Sequence, residues 1–148
     1  MSNRLALKFK KLHPDAKIPS YATSGSAGMD IRSIEDVTIG PNRTMIVSTG
    51  IAADIPDGYE IQVRPRSGLA LKHGITVLNT PGTIDSDYTG EIKVILHNVR
   101  DEAYKVNKGD RIAQLVIGRV IKLPIEEVDE ITKKTERGSG GFGSTGKQ

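Results

Sequence analysis

The sequence predicts an all-β fold: a jelly-roll-like β-barrel with one short helix and a mobile, glycine-rich C-terminal arm. Three observations lead there. Short runs of alternating apolar and polar residues recur along the chain, divided by closely spaced Gly, Pro and Asp turns. The stretch from Arg111 to Ile121 is almost continuously apolar, the pattern of a strand buried on both faces, one of which could be a subunit interface. Only Ser67 to His73 reads as a helix, and the residues from about Thr132 are too polar to bury a core.

In chain order, Leu5, Leu7 and Phe9 alternate with Ala6, Lys8 and Lys10, which predicts a half-buried strand over 4–10. His13 to Ser24 carries Pro14 and Pro19 and reads as loop. Strands are expected at Ala27–Ser33, Val37–Ile39 and Met45–Ala53, the last two split by Gly40-Pro41. After the turn Pro56-Asp57-Gly58, Tyr59, Ile61 and Val63 alternate with Glu60, Gln62 and Arg64. Ser67 is placed as the N-cap of the helix and Gly74 as its stop. Ile75, Val77 and Leu78 lead into NTPGTIDSDYTG, Asn79 to Gly90, and Ile92, Val94 and Leu96 lead out, which predicts a β-hairpin. The last strand follows the turn Lys108-Gly109-Asp110. The expected organisation is one β-domain over 1–131 and an arm over 132–148.

Composition removes several classes of function. The chain of 148 residues has no cysteine, so disulfides, thiolate zinc sites and a cysteine nucleophile are excluded. His13, His73 and His97 lack metal-ligand spacing. The net charge of +3 suits an anionic ligand but is too diffuse for a nucleic-acid face. No run reaches membrane-spanning length and no signal peptide opens the chain, so a cytoplasmic protein without membrane or nucleic-acid partners is expected.

Several stretches could carry chemistry. The Asn79–Gly90 segment holds Asp85, Asp87 and Tyr88, which alone read more readily as a solvated turn than as a base and a ring platform. Two acids two residues apart on one strand lie about 7 Å apart on one face, loosely as in an inverting glycosidase. Carbohydrate sites want aromatic platforms, however, and this chain is aromatic-poor. RPRSGLALKHG, Arg64 to Gly74, runs from strand into helix, and free amides beside Arg66 and the Ser67 hydroxyl would cradle a phosphate. Gln114 interrupts an apolar run and needs a hydrogen-bond partner if buried, whether backbone, water or ligand. Asp110 and Arg111 could form a structural ion pair. The arm approaches the Walker A spacing over Gly141 to Lys147, but Gln148 stands where Ser or Thr is required, and no strand or helix flanks it. A P-loop is therefore rejected, although Gly140, Gly141 and Gly143 permit close backbone approach. Phe142, on a segment without a core, could be a stacking lid.

Together these stretches closely resemble the five motifs of the trimeric deoxyuridine triphosphatases, the dUTPases: AGMDIRS, RPRSGLA, NTPGTIDSDYTGE, GDRIAQLV and RGSGGFGSTG, in that order. The family often has an aromatic where Met29 stands and Leu where Ile31 stands, both conservative changes. The resemblance implies the β-clip fold of that family, a homotrimer, and hydrolysis of dUTP to dUMP and pyrophosphate with Mg²⁺. Such a reaction limits uracil incorporation into DNA and supplies dUMP for dTMP synthesis. It also implies shared sites: the first, second and fourth motifs from one subunit, the Asn79–Gly90 segment from a neighbour, the arm from the third.

Carried over by position, Asp85 is the general base that activates water toward the α-phosphorus. Arg66, Ser67 and Gly68 hold the phosphates, Gln114 reaches them directly or through water, and Arg137 binds the terminal one. Asn79 and the backbone around Gly82, Thr83, Ile84 and Lys93 read uracil. Tyr88 packs on the deoxyribose, Phe142 stacks on the base, and Gly143 and Ser144 close over the phosphates. Asp30 acts on Mg²⁺ only through water, and Asp87 is expected to be structural. The related dCTP deaminases share the fold but carry a catalytic Glu where this chain has Ile95. A purely nucleotide-binding trimer would be expected to lack Asp85 or the arm, and both are present.

Overall fold

The structure, a computed structural model, describes residues 4–147; residues 1–3 and Gln148, the end of the predicted arm, lie outside the described residues. Eleven strands and one short helix make up the regular structure among them. They are β1 (Lys8–Lys11), β2 (Ser20–Tyr21), β3 (Gly28–Arg32), β4 (Val37–Ile39), β5 (Thr44–Asp54), β6 (Tyr59–Arg64), α1 (Ser67–His73), β7 (Ile75–Val77), β8 (Gly82–Ile84), β9 (Glu91–Asn98), β10 (Tyr104–Val106) and β11 (Arg111–Arg119). A four-stranded sheet runs β1-β5-β9-β7, a five-stranded sheet β2-β3-β11-β6-β8, and β10 and β4 form a ribbon. The strand pairs are antiparallel. The fold is jelly-roll-like, but no strand pairing joins the sheets into the closed barrel that the sequence suggests.

The core explains the choice of sheet. Ile31, Ile39, Val47, Ile51, Ile61, Ile75, Val77, Ile92, Val94, Leu96, Ile112 and Leu115 are its largest fully buried side chains. All but two are β-branched, and such residues lose little by lying on a pleated surface and much in a helix. Alternation places them: in β9, Ile92, Val94 and Leu96 face inward while Lys93 and Ile95 face away.

Three sequence expectations need correction. The first strand begins only at Lys8, and Leu5 lies before it, exposed. β11 is buried at Ile112, Ala113 and Leu115, but Ile117 is 39% exposed. Beyond Arg119 there is no further helix or strand among the described residues, and Ile121 and Ile125 are 84% and 95% exposed. The apolar pattern there describes an exposed surface rather than an intramolecular core. Asn79–Gly90, finally, is not a simple hairpin. β7 and β9 are antiparallel neighbours, Val77 opposite Leu96, but β8 inside the connection pairs with β6 of the other sheet.

One buried polar side chain ties the ribbon to the four-stranded sheet. Asn98, fully buried at the end of β9, donates from Nδ2 to the Ile39 carbonyl at 3.0 Å and the Glu102 carbonyl at 2.8 Å. Its Oδ1 accepts the Arg100 amide at 3.0 Å. Replacing it strands buried partners without water to compensate. Asn98→Ala is expected to lower stability by about 2–4 kcal/mol in urea denaturation; a loss below about 0.5 kcal/mol would contradict this account.

Candidate active site

Three strands and the entry to α1 meet at the carboxylate of Asp30. Gln114 on β11 lies opposite Asp30 on β3 and opposite Arg64 on β6. Arg66, just past β6, brings its Nε to 3.5 Å from Asp30 Oδ1, and Arg111 brings Nη1 to 3.3 Å from Oδ2. Arg66 also donates from Nη1 to the Arg111 carbonyl at 3.2 Å. The expected Asp110–Arg111 pair is absent among the described residues. Asp110 instead accepts the Asn107 amide and closes its own turn, so Arg111 is free to reach across to β3. Gln114 donates from Nε2 to the Pro65 carbonyl at 2.9 Å, which answers the question of its partner. Its side chain lies over Gly28, where a Cβ would come within 2.2 Å of Gln114 Oε1.

Arg66, in extended conformation with φ −94° and ψ 131°, is the N-cap of α1, and Ser67 is the first helical residue. This corrects the expected Ser67 cap: no side chain caps the helix, so the Ser67 hydroxyl is not engaged there. Ser67 and Gly68 are exposed, while Gly74 ends the helix at φ +65° as expected.

The Asn79–Gly90 connection forms a second centre. Its Thr80–Pro81 peptide is cis. Pairing with β6 places Gly82 opposite Val63 and Ile84 opposite Ile61. The Asn79 side chain lies over Gly82, where a Cβ would stand 3.1 Å from Asn79 Nδ2. After Ile84 the chain leaves the strand and turns, the Tyr88 amide donating to the Asp85 carbonyl at 3.1 Å. Asp85 and Asp87 are thus not paired on one strand, and the geometry behind the glycosidase comparison is absent. The Tyr88 hydroxyl donates to the Glu91 carbonyl at 2.6 Å, and its ring passes over Gly90, where a Cβ would stand 2.9 Å from Cζ. A cleft of about 300 Å³ opens here, lined by Thr83, Ile84, Asp85, Tyr88 and Lys93 together with Ile46, Glu91 and Ile92.

The arm is a third, separate piece. Arg137 donates from Nε to the Gly140 carbonyl at 2.8 Å, and the Ser144 amide donates to the Gly141 carbonyl at 3.1 Å. These bonds fold it on itself, with Arg137 and Ser144 lining one concavity. Phe142 is held fully exposed at φ +53°, a conformation unfavourable for a residue with a Cβ, and Gly143 follows at φ +87°. Among the described residues, no side-chain hydrogen bond or ion pair joins the Asp30 centre, the Asp85 cleft and the arm.

The chain as a whole has counterparts among known proteins. The sequence model of the dUTPase family matches residues 14–146. The chain belongs to the dUTPase family. It is 59% identical to the deoxyuridine 5'-triphosphate nucleotidohydrolase of Nautilia profundicola over 143 residues, 97% of this chain and 100% of the relative. It is 54% identical to that of Wolinella succinogenes over 97% of this chain and 96% of the relative. Among solved structures, a mutant dUTPase of Staphylococcus bacteriophage 80alpha with dUpNHpp superposes with a TM-score of 0.89 at 29% identity, over 98% of this chain and 99% of that one. A mutant dUTPase from phage phi11 of S. aureus, described with a structural Mg(II) ion, superposes with a TM-score of 0.81 at 25% identity, over 87% of this chain and 100% of that one.

In this dUTPase-family chain, no cluster of three or more acidic or histidine side chains that could hold a metal occurs among the described residues. Asp30 is occupied by two guanidiniums. No described helix is long and apolar enough to cross a membrane. Sequence reasoning missed Ile46, Glu91 and Ile92 in the cleft. Glu91 also accepts the Gly50 amide on Oε2 at 3.1 Å, fixing the bulge where β5 and β9 lose register. Glu91 closes the third motif and Ile92 follows it, whereas nothing in the sequence marked Ile46. Gly28→Ala is expected to push Gln114 off Pro65 and weaken binding of dUpNHpp about tenfold by calorimetry; unchanged affinity would show that Gln114 needs no such fit.

Proposed function

We propose that this protein hydrolyses dUTP to dUMP and pyrophosphate at sites shared between protomers of a homotrimer. The observation that carries the reading is the Asp85 cleft: an acid, a tyrosine face and open backbone edges sit together in a dUTPase-family chain, away from the basic centre. In this reading the cleft takes deoxyuridine and the basic centre of a neighbour takes the phosphates. Asn79 and the backbone of Gly82, Thr83 and Ile84, with Lys93 beside them, read the uracil edge. In this reading the connection excludes a 5-methyl group, and Tyr88, anchored on Glu91, lies against the sugar and excludes a 2′-hydroxyl.

Asp85 accepts a proton from water as its oxygen attacks the α-phosphorus. The bond to the oxygen bridging to the β-phosphorus breaks, and pyrophosphate leaves. Arg66, Ser67 and Gly68 hold the phosphate chain, and Gln114 orients it directly or through water. Asp30 holds Arg66 and Arg111 in place, which keeps their guanidiniums aimed at the phosphate side. The donor set suits a substrate-borne rather than a resident metal: phosphate oxygens would hold Mg²⁺, Asp30 would reach it only through water, and the ion would supply charge neutralisation for the departing group.

The arm, residues 132–148 beyond a β-domain of 1–131, supplies the third part. Phe142 covers uracil, Gly143 and Ser144 close over the phosphates, and Arg137 meets the terminal one. The trimer is supported by the exposed apolar series Ile117, Ile121, Leu123, Ile125, Val128 and Ile131, which one protomer leaves uncovered.

Pyrophosphate release with Mg²⁺ should be fast on dUTP and negligible on dTTP, dCTP and UTP; equal rates on UTP and dUTP would remove the role given to Tyr88. Asp85→Asn is expected to keep dUpNHpp affinity while turnover falls about 10²–10⁴-fold, and surviving turnover would show the base to be elsewhere.

A further inference from the structure

The helix that begins with the proposed phosphate-holding residues is lightly packed: Leu69 is partly buried against the core, and the His73 ring lies 4.7 Å from that of Tyr104. α1 contains no buried residue, and Leu71 is 79% exposed. With no side chain of α1 fully buried, this packing is limited, and polar tethers share in setting the helix's placement. At its front, Arg66 is held by Asp30 and by the Arg111 carbonyl, and the Pro65 carbonyl by Gln114. At its rear, Arg100 from the turn after β9 donates from Nη1 to the Lys72 carbonyl at 2.7 Å and from Nη2 to the Leu71 carbonyl at 2.8 Å. These are carbonyls of the last turn, which lack partners within a helix, and a cation there also opposes the helix dipole. The Arg100 stem crosses Gly74 so closely that a Cβ would stand 2.7 Å from its Cγ. The Val99 amide adds a bond to the Gly74 carbonyl at 3.0 Å. The base of Arg100 is itself fixed, its amide held by buried Asn98 and its carbonyl by the Asn42 amide at 3.2 Å.

We infer that Arg100 is a positioning residue for the substrate's triphosphate: by clamping the rear of α1 to the end of β9 it sets where Arg66, Ser67 and Gly68 stand. This rests on the phosphate-holding role proposed above for that stretch. Because the Asp85 cleft contains no residue of α1, recognition of uracil and sugar is independent of the clamp.

The test compares dUTP with deoxyuridine, which lacks phosphates, on the full-length trimer. Arg100→Ala is expected to raise KM for dUTP about fivefold to tenfold, while the inhibition constant of deoxyuridine stays within about twofold. Arg100→Lys, which can reach one carbonyl rather than both, should fall between, and it carries the test if Arg100→Ala does not fold. An unchanged KM in a folded variant, or equal weakening for dUTP and deoxyuridine, would overturn the inference. A wild-type protein inactive on dUTP would instead overturn the functional reading beneath it.

Discussion

β8 hydrogen-bonds to β6, and that pairing carries Asn79–Gly90 out of the sheet in which it starts and ends. The chain departs from β7, makes a short ladder on the far sheet, turns at Asp85, and returns as β9. β6 thereby has β11 on one edge and β8 on the other. The first edge leads to Gln114, Arg66 and Asp30; the second leads to Asp85 and Tyr88. A single strand thus separates the basic and acidic parts of the chemistry. In the proposed reading, this keeps the acid and the phosphate-holding arginine apart within a protomer, where mutual ion pairing would otherwise neutralise both.

Around each part, charge is matched locally. Asp30 answers Arg66 and Arg111, and its burial with them is partial, so the gain is modest in stability and larger in geometry. Planar guanidiniums fixed by a shared carboxylate lose fewer rotamers when an anion arrives. On the other side, Tyr88 is fixed through Glu91, whose side chain in turn holds the β5 bulge at Gly50. The same economy of fixed groups recurs at Asn98, which anchors the turn from which Arg100 reaches α1.

Much of this was legible in the residues. Alternation placed β3, β4, β5, β6 and β9 closely, and Gly74 marked the end of α1. The motifs marked the residues of both centres, although the stretch around Asp85 read alone favoured a solvated turn over a base. What could not be read was partnership. Turn residues between two alternating runs say that the chain reverses, but not that residues 82–84 pair with another sheet, so a hairpin was the natural reading. Asp110 and Arg111 are adjacent in sequence, yet the next strand offered Arg111 a better carboxylate. Ser67 looked like a cap because its type suits one, whereas the backbone turns helical one residue early. Arg100 carried no pattern at all, since an arginine in a turn is ordinary until the carbonyls it meets are known. The apolar run after Leu115 had the composition of a core but lies on an exposed surface.

An arm folded on itself, two centres without a bond between them and an uncovered apolar strip make one claim: a competent site forms only across protomers. Mixing two inactive proteins tests it most directly. Asp85→Asn protomers, which retain the arm, are dissociated and reassociated with protomers truncated after Thr135, which retain Asp85. Shared sites predict that dUTP hydrolysis returns, because each mixed trimer contains a site whose acid comes from one parent and whose arm comes from the other. Mixed trimers that form, as seen by native mass, but stay as inactive as either parent would contradict the account.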